Sequence, residues 1–453
     1  MDNLEFHKYK CKPYLHIDKR ISINKVKNYI TEPKKIANHS FLPFLRYDKY
    51  FYKYVGYGKG DIENRPVKIK TRSLMYAGHL DSYIYKYYSE LLNQSYNIWM
   101  NKEELDKYSV AYRSNRQHQS SINFAAQAIS FLEKKDNVFV IIGDFEKFFD
   151  TLDHRLLKER LQKVLLVERL PNDWYNVFKS LTKFAFIDKE QLENSDNPLV
   201  QKNNISYFHS MSDFRKYHKY NKCNLNKSPF GIPQGNPLSG VLANVYAIDF
   251  DSELSNLAKC YNGMYQRYSD DFILVLNVEL LEDVFGNNFI EPIVNYIQQL
   301  AADNKITLQR EKNKLYYVRD KVVLDSDRKK SHIDYLGFSF DGQNVRIREK
   351  SIYKFYRNAR RLIKNAKKIQ KEKGLANLPN RHKIYSLYTD FGRSERYPSN
   401  FINYAKRAQY IFDKISPNTN NLMLSQLKNR KKKIESALGY RIHSRIENST
   451  NRK

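Results

Sequence analysis

Three aspartates stand where short apolar segments meet turns, and carboxylates in such places can bind metal ions. Asp144 follows the apolar run VFVII (138–142), which predicts a β-strand that ends close to this residue. Asp270 and Asp271 lie in YSDD (268–271), between YNGMYQR and the apolar run FILVL, and this pattern predicts a tight hairpin with both carboxylates at its tip. Because two adjacent carboxylates are costly to bury without a cation, the three aspartates are candidate metal ligands.

Carboxylates from two strands would support phosphoryl transfer. Mg²⁺ prefers carboxylate and phosphate oxygens, and two ions about 3.5 to 4 Å apart stabilise both the attacking and the leaving oxygen of such a reaction. We therefore predict a nucleotidyltransferase with two Mg²⁺ ions per active site, for which Mn²⁺ could substitute. Each feature alone has a simpler explanation, since paired aspartates often form a solvated turn and Asp144 could cap a following helix.

A third feature, FGIPQGNPLSG (230–240), is a loop rich in proline and glycine that precedes the small-residue run VLANVYAIDFD. Glycine lets a backbone approach a ligand closely, and Gln234 offers both a hydrogen-bond donor and an acceptor. This pattern predicts a loop that leads into a helix. The joint occurrence of the three features, in this order, favours one active site over three unrelated turns.

Positive charge is concentrated near the C-terminus. The chain of 453 residues has 78 Lys plus Arg against 49 Asp plus Glu, a net charge of +29, and residues 346–453 hold +21 of it. There, KFYRNARRLIKNAKKIQKEKG has apolar residues at helical spacing and ends at Gly374. We predict basic helices that contact a polyanion, with a merely solvated helical face as the simpler alternative.

The middle of the chain has an α+β pattern, in which short apolar runs alternate with longer amphipathic stretches. Residues 187–228 are polar with little periodicity, which predicts a loop-rich insertion. The three cysteines are far apart, which favours reduced thiols over a disulfide framework or a zinc site. The start of the chain lacks an apolar signal core, and the apolar runs are too short to span a bilayer. We expect a cytoplasmic protein without a membrane partner.

These features together resemble the motifs of the reverse transcriptase family. Asp144 followed by Phe149 resembles motif A, PQGNPLS resembles motif B, and YSDD resembles the YxDD of motif C. EKNK (311–314) and DYLGFSF (334–340) resemble motifs D and E. The resemblance implies an RNA-directed DNA polymerase with a right-hand fold. Its parts would be an N-terminal region with fingers in 1–140 and parts of 155–230, a palm in 141–345, and a basic helical thumb in 346–453.

The resemblance also implies roles for individual residues. Asp144, Asp270 and Asp271 would hold the two Mg²⁺ ions, with the backbone carbonyl of Phe145 completing one coordination shell. Phe149 would be the steric gate that excludes a ribose 2′-hydroxyl and so selects deoxynucleotides.

The incoming nucleotide would have further contacts. KGDIENRPVKIK (59–70) resembles the fingers hairpin that binds the triphosphate, with Lys59 and Arg65 as the nearest matches and Arg72 as a substitute. Lys312 would neutralise or protonate the pyrophosphate leaving group, and Gln234 would contact the nucleotide. The family often has threonine after this lysine, where the present chain has asparagine.

Longer stretches resemble the bacterial unknown-group and abortive-infection branch, the defence-associated reverse transcriptases. They include YAGHLDSYIYKYYSELLNQSY (76–96), SVAYRSNRQ (109–117) and SGVLANVYAIDFD (239–251). This resemblance implies an antiphage polymerase that makes DNA from dNTPs, with a noncoding RNA as template or scaffold. Gly240 and the lack of a VTG sequence differ from retron enzymes, which are one alternative. A template-independent or protein-primed polymerase and a non-catalytic RNA-binding scaffold are the others, and the sequence leaves a homo-oligomer open.

Overall fold

The N-terminal part combines helices with a long β-hairpin. The computed structural model describes residues 5–54, 67–201, 205–309, 313–388 and 400–441. After a short 3₁₀-helix (Phe6–Lys8), the elements are α1 (Ile23–Ile30), α2 (Pro33–Ala37), β1 (Phe44–Tyr54), β2 (Val67–Tyr76), α3 (His79–Lys102) and α4 (Ser121–Glu133). Strands β1 and β2 pair antiparallel from Leu45 opposite Tyr76 to Tyr54 opposite Val67.

Two short strands extend the sheet that this hairpin begins. The chain continues through β3 (Val138–Asp144), α5 (Phe148–Thr151), α6 (His154–Leu165), α7 (Asn172–Thr182), β4 (Ala185–Asp188), α8 (Lys189–Glu193), α9 (Met211–Tyr220) and β5 (Asn224–Leu225). Strand β4 pairs parallel with β1 and antiparallel with β5, which gives the order β2-β1-β4-β5.

The stretch 187–228 contains more regular structure than its sequence indicates. Two helices and a strand lie within it, with a hydrophobic cluster that also includes Leu45 from β1. The ten-residue helix α9 buries only Phe214 and Tyr217, and its N-terminus is capped by Ser210. Two buried residues are too few to produce a periodic apolar pattern, and for this reason the sequence did not indicate α9.

The central sheet carries the acidic residues. It contains β3, β6 (Met264–Tyr268), β7 (Asp271–Asn277), β8 (Lys314–Arg319) and β9 (Val322–Asp325), in the order β6-β7-β3-β8-β9. The helices α10 (Pro237–Tyr246) and α11 (Ile248–Cys260) precede β6, and α12 (Val278–Phe285), a 3₁₀-turn (Gly286–Asn288) and α13 (Ile290–Asp303) precede β8.

All seven residues of β3 are buried, because both faces of the sheet are covered. Phe139 and Ile141 contribute to one hydrophobic core, and Val138, Val140 and Ile142 contribute to another on the opposite face. A strand covered on both sides has an uninterrupted apolar sequence, and this explains VFVII.

The C-terminal part is mainly helical. It contains β10 (Ile333–Tyr335), β11 (Phe338–Phe340), β12 (Asn344–Ile347), α14 (Glu349–Glu372), α15 (Arg381–Tyr388), α16 (Phe401–Ile415), β13 (Asn420–Asn421), a 3₁₀-turn (Ser425–Leu427) and α17 (Arg430–Leu438). The four strands form a sheet in the order β10-β11-β12-β13. Helix α14 buries Phe355, Ala359, Ile363 and Ala366, and Gly374 follows its end with a left-handed φ of +59°.

The α+β fold class and the helical C-terminal region are therefore confirmed. Within the described ranges, no helix combines the length and the apolar character needed to cross a bilayer.

Candidate active site

Strand pairing brings the predicted acidic residues to one edge of the central sheet. Strands β3 and β7 pair antiparallel with Asp144 directly opposite Asp271. Strands β6 and β7 form a hairpin that closes at the pair Tyr268 and Asp271, so that Ser269 and Asp270 form the turn. The amide of Phe145 also donates a hydrogen bond of 2.9 Å to the carbonyl of Asp270. The predicted strand end and hairpin are both present, and the fold places the backbones of the three aspartates at one edge of the sheet.

The turn is held by residues on both sides of it. Ser269 has a φ of +63°, a left-handed conformation that is costly for a residue other than glycine. Its carbonyl accepts a hydrogen bond of 2.8 Å from Nη1 of Arg267. Its hydroxyl lies 3.0 Å from the hydroxyl of Tyr112.

Arg267 belongs to a fully buried ion pair beneath this turn. Its Nε and Nη2 donate to the two carboxylate oxygens of Asp251 at 2.7 and 2.6 Å, and both side chains have no exposed surface. The hydroxyl of Tyr265 donates to the same carboxylate at 2.7 Å. Burial disfavours the guanidinium cation, but the Asp251 carboxylate more than offsets this effect and raises the pKa of Arg267. The guanidinium therefore stays charged, and the pair links α11 to the turn.

The predicted glycine-rich loop lies against the β1–β2 hairpin. The amide of Met75, in β2, donates a hydrogen bond of 2.8 Å to the carbonyl of Gln234. Gly235 has a φ of +109°, and a Cβ atom there would lie 2.5 Å from the carbonyl oxygen of Met75. Since no other residue fits without displacing this backbone, the close approach requires glycine at this position.

The same loop also holds the segment after β3. The amide of Ile232 donates to the carbonyl of Phe149 at 2.9 Å, and His154 Nε2 lies 2.7 Å from the carbonyl oxygen of Gly231. The side chains of Phe149 and Gln234 are both half-buried. The predicted gate residue and the predicted nucleotide contact thus lie on two segments that are directly hydrogen-bonded.

Phe145 contributes its side chain to the core and leaves its carbonyl available. The ring is buried and lies 4.8, 5.3 and 5.9 Å, between centroids, from those of Phe148, Phe250 and Phe272. In the described ranges, no amide donates a hydrogen bond to the Phe145 carbonyl oxygen. That oxygen could therefore serve as the predicted metal ligand.

Some predicted contacts cannot be placed. Lys59, Arg65 and Lys312 lie outside the described residues. The substitute candidate Arg72 is on β2, paired in register with Lys49, and its guanidinium lies 5.7 Å from the centroid of the Phe51 ring.

In the described part of the chain, no three carboxylate, histidine or cysteine side chains are grouped closely enough to hold a metal ion. Adjacent carboxylates repel one another when no cation lies between them. The donor chemistry nevertheless fits Mg²⁺, since backbone pairing fixes Asp144 opposite Asp271 and Asp270 adjoins them in the turn.

A cavity of about 340 Å³ lies beside the turn. Ser269, Asp270 and Tyr112 line it together with Gly337, in the turn between β10 and β11, and Arg348. Gly337 lies within DYLGFSF, the stretch that resembles motif E. Tyr112 and Arg348 were missed, because a single tyrosine or arginine carries no signal in a chain with 36 tyrosines and 78 basic residues.

The match to a family model identifies the class of this protein. Residues 79–340, more than half of the chain, match the family described as reverse transcriptase, RNA-dependent DNA polymerase. The chain belongs to the reverse transcriptase family. It is an RNA-directed DNA polymerase and hence a nucleotidyltransferase, as its motifs implied. No curated protein matches the sequence significantly.

Solved structures of telomerase are also similar to this chain. Apo telomerase from Candida tropicalis matches with a TM-score of 0.39 and 12% identity, over 94% of this chain and 67% of that one. A form of it truncated from the C-terminal domain matches with a TM-score of 0.40 and 15% identity, over 72% of this chain and 60% of that one. Telomerase from Candida albicans, in complex with a fragment of telomeric RNA, matches with a TM-score of 0.39 and 12% identity, over 94% of this chain and 72% of that one.

Proposed function

We propose that the protein synthesises DNA from dNTPs on an RNA template and that Asp144, Asp270 and Asp271 are its catalytic residues. The observation that carries this proposal is the strand register, in which Asp144 faces Asp271 across β3 and β7 while Asp270 adjoins them in the turn. Two Mg²⁺ ions, when bound by these carboxylates and the Phe145 carbonyl, would stabilise the charge that develops during phosphoryl transfer.

The neighbouring residues would select and orient the nucleotide. Phe149, held through its carbonyl by the Ile232 amide, would lie beneath the sugar and exclude a 2′-hydroxyl. Gln234 would donate to the nucleotide from a loop whose backbone is fixed by Met75. The triphosphate would be contacted by Lys59 and Arg65, and the pyrophosphate leaving group by Lys312.

We further propose that the RNA is a noncoding RNA and that the enzyme acts in bacterial antiphage defence, in the cytoplasm. The support for this part is the resemblance of residues 76–96, 109–117 and 239–251 to the defence-associated branch. The basic outer face of α14 supports RNA retention, because Arg357, Arg361 and Lys364 are exposed and have no carboxylate within salt-bridge distance among the described residues. Phosphate contacts of this kind are strongly salt-dependent.

The experiment is to purify the protein with its accompanying RNA, supply Mg²⁺ and labelled dNTPs, and sequence the product. DNA complementary to the bound RNA is expected from the wild type, and none from Asp270→Ala combined with Asp271→Ala. A homopolymer or an irregular sequence would instead indicate untemplated synthesis. Equal incorporation by the wild type and the double variant would overturn the assignment of the catalytic residues.

A further inference from the structure

Tyr112 contacts the catalytic turn from a segment far away in the sequence. Its hydroxyl lies 3.0 Å from the hydroxyl of Ser269, which is 157 residues further along the chain. Both residues have left-handed backbones, with φ values of +57° and +63°. Backbone conformations of this kind persist where the surrounding structure fixes them, and they cluster at active sites.

The backbone around Tyr112 is fixed by two amide side chains. Asn93, in α3, donates a hydrogen bond of 2.6 Å to the carbonyl of Tyr112. Asn244, in α10, donates one of 2.7 Å to the carbonyl of Ala111. The tyrosine backbone is therefore anchored to two helices through Asn93 and Asn244.

The ring of Tyr112 lies against Gly240, the residue that differs from the retron pattern. A Cβ atom at position 240 would lie 3.0 Å from two carbons of the ring. Any larger residue at 240 would push the ring away by a few tenths of an ångström or more. The absence of a side chain at position 240 thus allows the ring to lie where the Tyr112 hydroxyl contacts Ser269.

Ser269 is held a second time through its carbonyl. Arg267, fixed by its buried pair with Asp251, donates to that carbonyl at 2.8 Å. Tyr112 and Arg267 therefore hold the hydroxyl and the carbonyl of one strained residue. The next two residues are Asp270 and Asp271. A shift of Ser269 would move both carboxylates.

We propose that Tyr112 is a positioning residue for polymerisation, which acts through the hydroxyl of Ser269 to fix the placement of Asp270 and Asp271. The inference rests on the proposed function of those carboxylates. It also explains why the chain has glycine at position 240, since the ring and a larger side chain would compete for the same space.

The direct test compares Tyr112→Phe with Tyr175→Phe. Both tyrosines have the same fractional exposure, 47%, so the second change is a matched control. Tyr112→Phe is expected to lower kcat about 3- to 10-fold, the effect of one hydrogen bond. The KM for dNTP should change less than twofold, and the half-saturating Mg²⁺ concentration should rise. Tyr175→Phe should change none of these values. Equal kinetics for the two variants would overturn the proposal.

Two changes at Ser269 separate positioning from a structural role. Ser269→Ala should lower kcat by the same factor as Tyr112→Phe. The combination of the two should lower kcat no further than either change alone, since both remove the same hydroxyl contact. Ser269→Gly relieves the left-handed strain and should not lower the melting temperature. It should nevertheless lower kcat, and an unchanged or higher kcat would contradict the proposal.

Position 240 supplies a third comparison. Gly240→Ala should lower kcat when Tyr112 is present and have little further effect in Tyr112→Ala, where the ring is gone. Equal effects of Gly240→Ala in the two backgrounds would contradict the proposed role of the glycine.

Amide hydrogen exchange distinguishes failure of this inference from failure of the proposed function. Tyr112→Phe should accelerate exchange in the turn, including the Phe145 amide that donates to Asp270. This readout needs no activity. An inactive wild type would count against the proposed function, whereas unchanged exchange in the turn would count against the role of Tyr112.

Discussion

Arg267→Met is expected to destabilise the protein by about 3–5 kcal/mol, because it leaves the buried Asp251 carboxylate without its cationic partner. The arginine donates two hydrogen bonds to that carboxylate, one to the Ser269 carbonyl and one of 3.0 Å to the Ser109 hydroxyl. After the substitution Asp251 keeps only the bond from Tyr265 among these partners. Since whole domains are stable by about 5–15 kcal/mol, a loss of this size is readily measured by urea unfolding.

The matched control is Arg155→Met, which removes an exposed ion pair with Glu159 and should cost at most about 1 kcal/mol. A triple variant, Arg267→Met, Asp251→Leu and Tyr265→Phe, should regain most of the lost stability, because no buried charge or hydroxyl is left unpaired. It should not regain polymerase activity, since Ser269 still lacks its donor. Similar unfolding free energies for Arg267→Met and Arg155→Met would refute this reasoning.

Four further outcomes are expected. Gly235→Ala should destabilise more than Gly374→Ala and raise the KM for dNTP, because a Cβ at 235 meets the Met75 carbonyl whereas the one at 374 meets open space; equal effects on unfolding would contradict this. Phe149→Ala should increase incorporation of ribonucleotides relative to deoxynucleotides about tenfold or more in competition assays, and an unchanged ratio would exclude Phe149 as the gate. Burial lowers the pKa of His154 despite the Gly231 carbonyl, so its stabilising effect is present above the unfolded pKa of about 6.5 and is lost as the pH falls; the drop in melting temperature between pH 7.5 and 5.5 should therefore be smaller in His154→Gln. Three charges on α14 are reversed together, by Arg357→Glu, Arg361→Glu and Lys364→Glu. This variant should lower the magnitude of the slope of log binding constant against log salt concentration for RNA by about 2 to 3, while the free energy of unfolding stays unchanged. An unaltered slope would exclude this face from the RNA contact.

The parts of the fold predicted from the sequence are those with strong local signals. VFVII is buried on both faces of the sheet, and its uninterrupted apolar character marks the strand that ends at Asp144. In YSDD, the turn and the apolar run after it fix the hairpin and place Asp270 and Asp271. Helix α14 has a buried stripe at spacings of three and four, followed by a glycine with a left-handed backbone.

The parts that the sequence did not indicate depend on contacts between distant segments. Tyr112 is 157 residues from Ser269, and the space that admits its ring is created by Gly240 in yet another segment. The pair of Arg267 and Asp251 joins a strand to a helix through side chains with no distinctive spacing. Helix α9 went undetected because only two of its residues are buried.

The most direct measurement is single-turnover incorporation of one dNTP on a defined DNA primer annealed to an RNA template, with Mg²⁺ present. Asp144→Asn and Asp283→Asn are compared with the wild type, since Asp283 is an exposed aspartate in α12. The expected result is incorporation of the complementary nucleotide by the wild type and Asp283→Asn, with the rate of Asp144→Asn lower by about a thousandfold or more. A rate for Asp144→Asn within a few-fold of the wild-type rate would contradict the assignment of the carboxylates opposite each other on β3 and β7 as the catalytic centre.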